Sequence, residues 1–272
     1  MQSRKVFQAV CRPHMWIAVA VMACLTATAL ATEPPDNTAS PAQRAAFLAG
    51  TSKDCPGCDL RGARLKRRDL SGADLSGANL TDAVLHAARL TNAKLAHATL
   101  RDANLDKADL KRADLTGADL TEALLYAADL SGAQLDGAIL VDAHMQHSRL
   151  TRAQLRNADL TRADAREAEL SDCDMSHATL KQANFSNANL SRCILSDITA
   201  DRAGFVMARL RDAKLNRISA IQADFYRADL SGADLTGSDF RGSRLERADL
   251  DGATQTGMKT QGALLVDGTV GQ

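Results

Sequence analysis

Two cysteines three residues apart form the motif in this sequence that most resembles a reactive site. Cys55 and Cys58 enclose Pro-Gly, and a CxxC pair of this kind suits thiol–disulfide exchange or half of a zinc site. No second CxxC pair and no histidine pair follows as further zinc ligands, and the motif lacks thioredoxin-like βαβ surroundings. We therefore predict a structural role after export, either as a local disulfide or as two free thiols.

The other residues that could perform chemistry do not form a recognisable catalytic or metal site. The histidines are isolated polar residues, and the many Asp and Asn residues recur so regularly that they are expected to bond to the backbone at bends. The sequence contains no Gly-rich phosphate loop and no Gly-x-Ser-x-Gly motif. We therefore predict no catalytic residue, no metal ligand and no cofactor.

The elements that position these residues are indicated by apolar residues at every fifth position. From Leu60 to Leu250, all 39 positions at this interval hold a large apolar residue or alanine, and 30 of them are Leu. A helix advances about 100° per residue, so a step of five would spread these side chains around its circumference. In an extended chain, residues two apart point to the same side. Each unit, such as the Ala-Asp-Leu-Ser-Gly of 73–77, is therefore predicted to be a short strand and a bend within an all-β solenoid.

Exceptions to the five-residue pattern recur every twenty residues and indicate the size of one coil. Phe185, Phe205 and Phe225 are spaced by twenty, as are Cys173 and Cys193. Residues repeated at the coil length stack in neighbouring turns, so we predict a four-sided β-helix of about ten coils. The two Cys side chains would be parallel and about 4.8 Å apart, wider than the Cβ separation of a disulfide, so we predict two buried thiols.

The repeating unit resembles that of the pentapeptide repeat family, whose motif is A(D/N)LXX. The resemblance covers Cys58 to Leu250, and the segment from Cys55 to Leu60 is similar to the start of the repeats in some members. This resemblance implies a right-handed β-helix. Arg68 departs from the pattern because it occupies a small interior slot. We expect an open or irregular first coil in which Arg68 reaches past the end.

The first 31 residues have the features of a secretory signal peptide. Arg4, Lys5 and Arg12 precede an uncharged stretch at 15–31, which ends in Ala-Leu-Ala. A basic start, an apolar middle and a small-x-small ending are typical of export signals. Residues 1–31 therefore predict Sec-type export to the periplasm or the medium.

Two alternatives to cleavage of this segment remain open. One is a membrane anchor that stays attached, for which the stretch is slightly short of the usual span of about 20 residues. The other is a lipid anchor on Cys24, which is the weaker alternative because apolar residues continue beyond it.

A short helix is predicted in front of the solenoid, after a polar linker at 32–39. Ser40, Pro41 and Gln43 have the order of a helix cap, a first-turn proline and a capping-box partner, and Gly50 supplies a stop. The helix is therefore expected to run from Pro41 to about the residue before Gly50.

Both ends of the solenoid expose apolar interior and unpaired backbone, so each needs a cover. Within the capping segment at 40–54, Phe47 and Leu48 are expected to cover the first coil. The five-residue frame fails near the other end and returns only at 263 and 265, which leaves one more side open. The solenoid is therefore assigned to 55–255 and a C-terminal cap or tail to 256–272.

The charge balance weighs against binding to nucleic acid or imitation of it. The chain has 33 basic and 33 acidic residues, and removal of 1–31 would leave 30 and 33. Some pentapeptide repeat proteins resemble duplex DNA and inhibit or protect DNA gyrase, but such mimicry requires a dense acidic field. Gyrase inhibition or protection is therefore our alternative function. The basic cluster at 61–68 has no aromatic partners, so no nucleic-acid partner is expected.

One wall of the solenoid carries more exposed apolar residues than the others. We name as the contact wall the side that carries Val84, Leu124, Tyr126, Val206 and Tyr226. These residues are scattered, and single apolar residues are common on surfaces. The sequence therefore predicts an exported, non-enzymatic scaffold or protein-interaction module, whose partner is a protein or an envelope component.

Overall fold

The computed structural model describes residues 39–272. The predicted signal peptide at 1–31, the lipid site at Cys24 and all but the last residue of the linker at 32–39 lie outside the described residues. Within 39–272, no helix combines the length and the apolar character that crossing a bilayer would need.

Helix α1, Pro41–Ala49, precedes the solenoid. The Ser40 hydroxyl accepts a hydrogen bond from the Gln43 N–H at 3.2 Å, and Gly50 ends the helix with a left-handed φ of 81°. Phe47 is fully buried, whereas Leu48 is 40 % exposed. Only one of the two expected covering side chains is therefore buried, because adjacent residues on a helix point about 100° apart.

Arg68 extends from the first coil to α1. Its guanidinium lies 4.4 Å from the centre of the Phe47 ring and donates to the backbone carbonyls of Phe47 and Ser52. A charged side chain in an interior slot is thus accommodated because it leaves the core and caps carbonyl groups of the covering segment.

Cys55 and Cys58 are joined by a disulfide with a Cα–Cα distance of 5.4 Å, and both are buried. The Cys55 N–H donates to the Asp74 carbonyl one coil further on, at 2.8 Å. The disulfide therefore closes a small loop at the point where the solenoid begins.

The solenoid is formed by parallel bridges between residues twenty apart. They run from Asp59–Asn79 to Arg244–Leu264, with one bridging residue per pentapeptide. The large interior residue of a pentapeptide donates its N–H to a carbonyl of the next coil. The N–H of that same residue in the next coil donates back to the carbonyl of the small interior residue, which lies two positions before the large one. Leu75, for example, donates to the Lys94 carbonyl at 2.8 Å, and the Lys94 N–H donates back to the carbonyl of Ala73 at 2.9 Å. The register of twenty agrees with the predicted four-sided coil.

Stacked apolar side chains fill the interior. Phe185, Phe205 and Phe225 form a stack with ring centres 5.5 Å and 4.7 Å apart. Cys173 and Cys193 are free and buried, and burial raises the pKa of the Cys173 thiol well above its ordinary value. These two thiols therefore belong to the packed core.

Most corners place a residue in the left-handed region, and that residue is often not glycine. His147 and Glu167, for example, both have φ of 58°. Asp and Asn side chains support the corners, as when Asp119 Oδ1 accepts from the Thr121 N–H at 3.0 Å. Corner residues are thereby stacked in columns, with one member of each column in every coil.

The parallel bridges continue past the predicted boundary at 255, since Lys259 and Leu264 also pair with the preceding coil. The chain then reverses, and Val270 pairs antiparallel with Leu264. A Cβ on Gly271 would lie 2.1 Å from the Thr260 carbonyl oxygen, so only glycine fits this crossing. The backbone ladder thus persists after the apolar frame is lost, because backbone pairing does not depend on the identity of the side chains.

Candidate functional site

The five residues of the contact wall lie on one side of the solenoid but do not form one patch. Leu124 and Tyr126 are 36 % and 45 % exposed, whereas Val84, Val206 and Tyr226 are half-buried. Tyr126 and Val206 are four coils apart, which is about 19 Å at the spacing of paired strands. The structure therefore brings together only pairs of the predicted residues.

The ring of Tyr226 is covered by arginine side chains. The guanidinium carbons of Arg244, Arg227 and Arg247 lie 4.0, 5.2 and 6.0 Å from the ring centre. Arg247 Nη1 also donates to the Tyr226 hydroxyl at 3.3 Å. Because cations over an aromatic face occupy the surface that a partner would use, Tyr226 does not present a free apolar face.

Tyr126 occupies the same column five coils earlier and has different neighbours. The positions equivalent to Arg227, Arg244 and Arg247 are here Ala127, His144 and His147. The His147 ring meets Tyr126 edge-on, with ring centres 5.3 Å apart and planes inclined at 76°. Within residues 39–272, no arginine lies over the Tyr126 ring, which leaves a face of it accessible.

A surface cavity of about 380 Å³ lies next to this ring. The residues that line it come from three successive coils and are Tyr126, Gln146, His147, Arg166 and Glu167. His147 Nδ1 lies 3.3 Å from Glu167 Oε2. We name this the Tyr126 cavity.

Asp164 forms hydrogen bonds with two polar residues that line the Tyr126 cavity. It accepts hydrogen bonds from Arg166 Nε at 2.8 Å and Nη2 at 2.7 Å, and from Gln146 Nε2 at 2.7 Å. Partial burial opposes ionisation of Asp164, but these hydrogen bonds outweigh it, so the pKa of Asp164 lies below its ordinary value. The carboxylate therefore stays ionised at neutral pH and holds two cavity residues in place.

The lining of the cavity is aromatic, amide and charged. It contains a His–Glu pair but no serine, threonine or cysteine that His147 could activate as a nucleophile. Within the described part of the chain, no three His, Cys, Asp or Glu residues are grouped closely enough to hold a metal ion.

Sequence reasoning identified Tyr126 but missed the residues around it. The signal was available in the twenty-residue register, because Tyr126, Gln146 and Arg166 form one column and His147 and Glu167 form the next. The twenty-residue spacing that groups the interior positions also groups these outward positions.

Comparison with known protein families places these repeats in one family. Residues 168–254 match a family described as a pentapeptide repeat region, and residues 58–95, 88–125 and 128–164 match pentapeptide repeats (8 copies). No curated protein matches the chain.

Several solved structures are similar to this chain. HetL, a pentapeptide repeat protein involved in heterocyst differentiation regulation from the cyanobacterium Nostoc sp. strain PCC 7120, is 30% identical over 84% of this chain and 97% of its own, with a TM-score of 0.45. QnrB1, a plasmid-mediated fluoroquinolone resistance protein, is 20% identical over 65% of this chain and 88% of its own, with a TM-score of 0.38. A pentapeptide repeat protein from the Arabidopsis thaliana thylakoid lumen is 28% identical over 43% and 68%, with a TM-score of 0.22.

The family matches, the identity to HetL and the twenty-residue bridge register agree with one another. The chain therefore belongs to the pentapeptide repeat family, whose members form right-handed β-helix solenoids.

Proposed function

We propose that this protein is an exported, non-enzymatic scaffold that binds a protein or an envelope component through the contact wall. The observation that carries the proposal is the exposure of Leu124 and Tyr126 on a wall whose backbone is paired to both neighbouring coils. Bridges from 59 to 264 at twenty residues per coil also support the predicted count of about ten coils. Such a wall fixes side chains at constant spacing and loses little conformational entropy on binding.

Site-specific crosslinking in the native host tests this role. A photoreactive residue at position 124 should capture a defined partner, whereas the same residue at Gln134 should not. Gln134 is an exposed bridge residue on the opposite wall, half a coil further along the chain. Equal capture at both positions would show that contacts of the rod are non-specific.

The proposed location rests on the signal-like sequence of 1–31 and has its own test. Fractionation of the host should recover the protein from the periplasm or the medium, and its mature N terminus should follow Ala31. Recovery from the cytoplasm with residues 1–31 intact would contradict export.

One observation favours the alternative of gyrase inhibition or protection. Asp82, Asp102 and Glu122 are exposed and stack at one corner in three successive coils. The next member of this column, Asp142, is paired with Arg162. Ion pairs between neighbouring coils recur at other corners, so the acidic run is short and the scaffold proposal is better supported. Inhibition of gyrase supercoiling by the purified protein, lost on reversing the charge of this run, would favour the alternative.

A further inference from the structure

The Tyr126 cavity has the shape and chemistry of a small-ligand site, a role that a protein-binding scaffold does not require. Its volume of about 380 Å³ lies in the range of ligand pockets, about 300–1,000 Å³. We propose that it binds one or two residues of a neutral oligosaccharide.

The charges of the cavity favour a neutral ligand. Arg166 is neutralised by the two-bond contact with Asp164, and Glu167 Oε2 lies 3.3 Å from His147 Nδ1. A phosphate or carboxylate ligand would need donors that are not already matched by carboxylates. A hydrocarbon ligand would cover the Gln146 amide oxygen and Glu167 Oε1 without offering them hydrogen bonds, which is unfavourable.

The aromatic and polar groups suit the two kinds of surface that a sugar presents. The Tyr126 ring is 45 % exposed, and the C–H face of a pyranose can pack on such a ring. The Gln146 amide nitrogen donates to Asp164, and Glu167 Oε2 lies 3.3 Å from His147 Nδ1. The amide oxygen of Gln146 and Oε1 of Glu167 can therefore accept hydrogen bonds from sugar hydroxyls.

The cavity is held rigidly before any ligand binds. The Tyr126 N–H donates to Asp106 Oδ1 at 3.0 Å, the Ala127 N–H to the Gln146 carbonyl at 3.0 Å, and the His147 N–H to the Arg166 carbonyl at 3.1 Å. The three coils that supply the lining are thus fixed to one another. A site whose backbone is already ordered avoids part of the entropic cost of binding.

A second cavity on the solenoid provides an internal control. It has a similar volume of about 390 Å³ and a polar lining that includes Lys181, Gln182 and Gln222, but no aromatic side chain lines it. If polar grooves between coils bound sugars without selectivity, both cavities would do so. The proposal assigns binding to the Tyr126 cavity alone.

Calorimetric titration of the full chain with cellotetraose, maltotetraose and tetra-N-acetylchitotetraose tests the proposal. At least one should bind with one-to-one stoichiometry and a dissociation constant on the order of 1 mM. Tyr126→Ala should weaken that binding at least about 10-fold, whereas Tyr126→Phe, which keeps the ring, should change it less than about 3-fold. Gln182→Ala and Tyr226→Ala should bind as the wild type does.

A third variant at the cavity protects the test against misfolding. Glu167→Gly removes one lining carboxylate at a corner position with φ of 58°, where glycine is the favoured residue. It should fold and yet bind the sugar several-fold more weakly. The proposal is overturned if none of the three tetrasaccharides saturates the wild type by about 10 mM. Unchanged affinity in Tyr126→Ala, or equal loss in Gln182→Ala, would overturn it too.

This inference stands apart from protein binding by the wall, and the two can fail separately. Leu124 does not line the Tyr126 cavity, so Leu124→Asp should abolish recovery of the partner in a pull-down without changing sugar affinity. Tyr226→Ala should affect neither.

Discussion

Tyr126 and Tyr226 are the same residue at the same position of the coil, yet the structure gives them different surroundings. Three guanidinium groups cover Tyr226, whereas Tyr126 borders a cavity and meets one imidazole edge-on. The backbone conformation is common to both, so the difference arises from the adjacent residue, Arg227 or Ala127, and from residues in the next coil. In a solenoid, the availability of a surface side chain therefore depends on residues about twenty positions away as well as on its neighbours in the chain.

The comparison is tested most strongly by the chemical reactivity of the two rings, which are the only tyrosines of the chain. Tetranitromethane should nitrate Tyr126 roughly 10-fold faster than Tyr226, because the guanidinium groups restrict access to Tyr226. Peptide mass spectrometry over a time course measures both rates in one sample. Equal rates would mean that the arginines do not stay over the ring in solution.

Exchanging the covering residue should move the two rates towards each other. Arg244→His should raise nitration of Tyr226 about fivefold, and His144→Arg, at the equivalent position, should lower nitration of Tyr126 by a similar factor. His144→Arg should also weaken tetrasaccharide binding. Lys214→His, on another wall, is the control and should change neither rate.

Tyr226, the less reactive ring, should contribute more to the free energy of unfolding than Tyr126. Tyr226→Ala should lower the free energy of unfolding by about 1–2 kcal/mol, since it removes the cation–π contacts and a half-buried ring. Tyr126→Ala should change it by less than about 0.5 kcal/mol, because that ring is more exposed. Denaturant unfolding monitored by circular dichroism measures both. A larger loss in Tyr126→Ala would reverse our account of which ring is packed.

Acid should loosen the Tyr126 cavity through Asp164. Partial burial opposes its ionisation, but hydrogen bonds from Arg166 and Gln146 hold the folded-state pKa of Asp164 below its ordinary value. A depressed pKa stabilises the fold at pH above the unfolded value of about 4, and this stabilisation is lost as pH falls through the folded pKa. Thermal melting at pH 7, 4 and about 2.5 should therefore show a decline that is shallower in Asp164→Asn. An identical pH dependence in wild type and variant would exclude this contribution.

The smallest effect concerns a hydroxyl next to the cavity. Ser148 is fully buried, and its Oγ has no hydrogen-bond partner within residues 39–272. Alanine occupies most equivalent slots, so Ser148→Ala should stabilise the protein by about 1 kcal/mol without changing nitration of Tyr126. Ser238→Ala is the contrasting control and should destabilise, because the Ser238 hydroxyl donates to the Leu215 carbonyl.

The interior of this protein could be predicted from the sequence better than its surface. Interior positions repeat every five residues, so the apolar side chain of Leu75 or Phe205 is enough to predict that it lies inside the solenoid. A surface residue such as Tyr126 does not reveal whether an arginine or a histidine will lie against it until the coil length is applied to outward positions. The left-handed backbone at His147 was hidden for a similar reason, since the usual signal for that conformation is glycine.

The ends of the solenoid show the same limit. The residues at the two ends of α1 predicted the helix. Whether Phe47 or Leu48 would be buried depended on which face of the helix the first coil contacts. Beyond 255 the apolar frame is interrupted at Gln255 and Thr260 and resumes only at Ala263 and Leu265, which is too sparse a signal to extend the predicted ladder. Backbone pairing and a glycine at 271 maintain it instead.

The uniform bridge register also determines how this architecture tolerates changes in length. Duplicating any stretch of twenty residues would lengthen the rod by one turn without disturbing its ladder, whereas inserting a single residue would send every later side chain to the wrong face. A duplication inserted between Ala127 and Gln146 would nevertheless separate the tyrosine from its imidazole, while one placed after Arg202 would leave them together. Insertion of a whole coil therefore preserves the fold at most positions. It disrupts function only where residues of successive coils form one binding site.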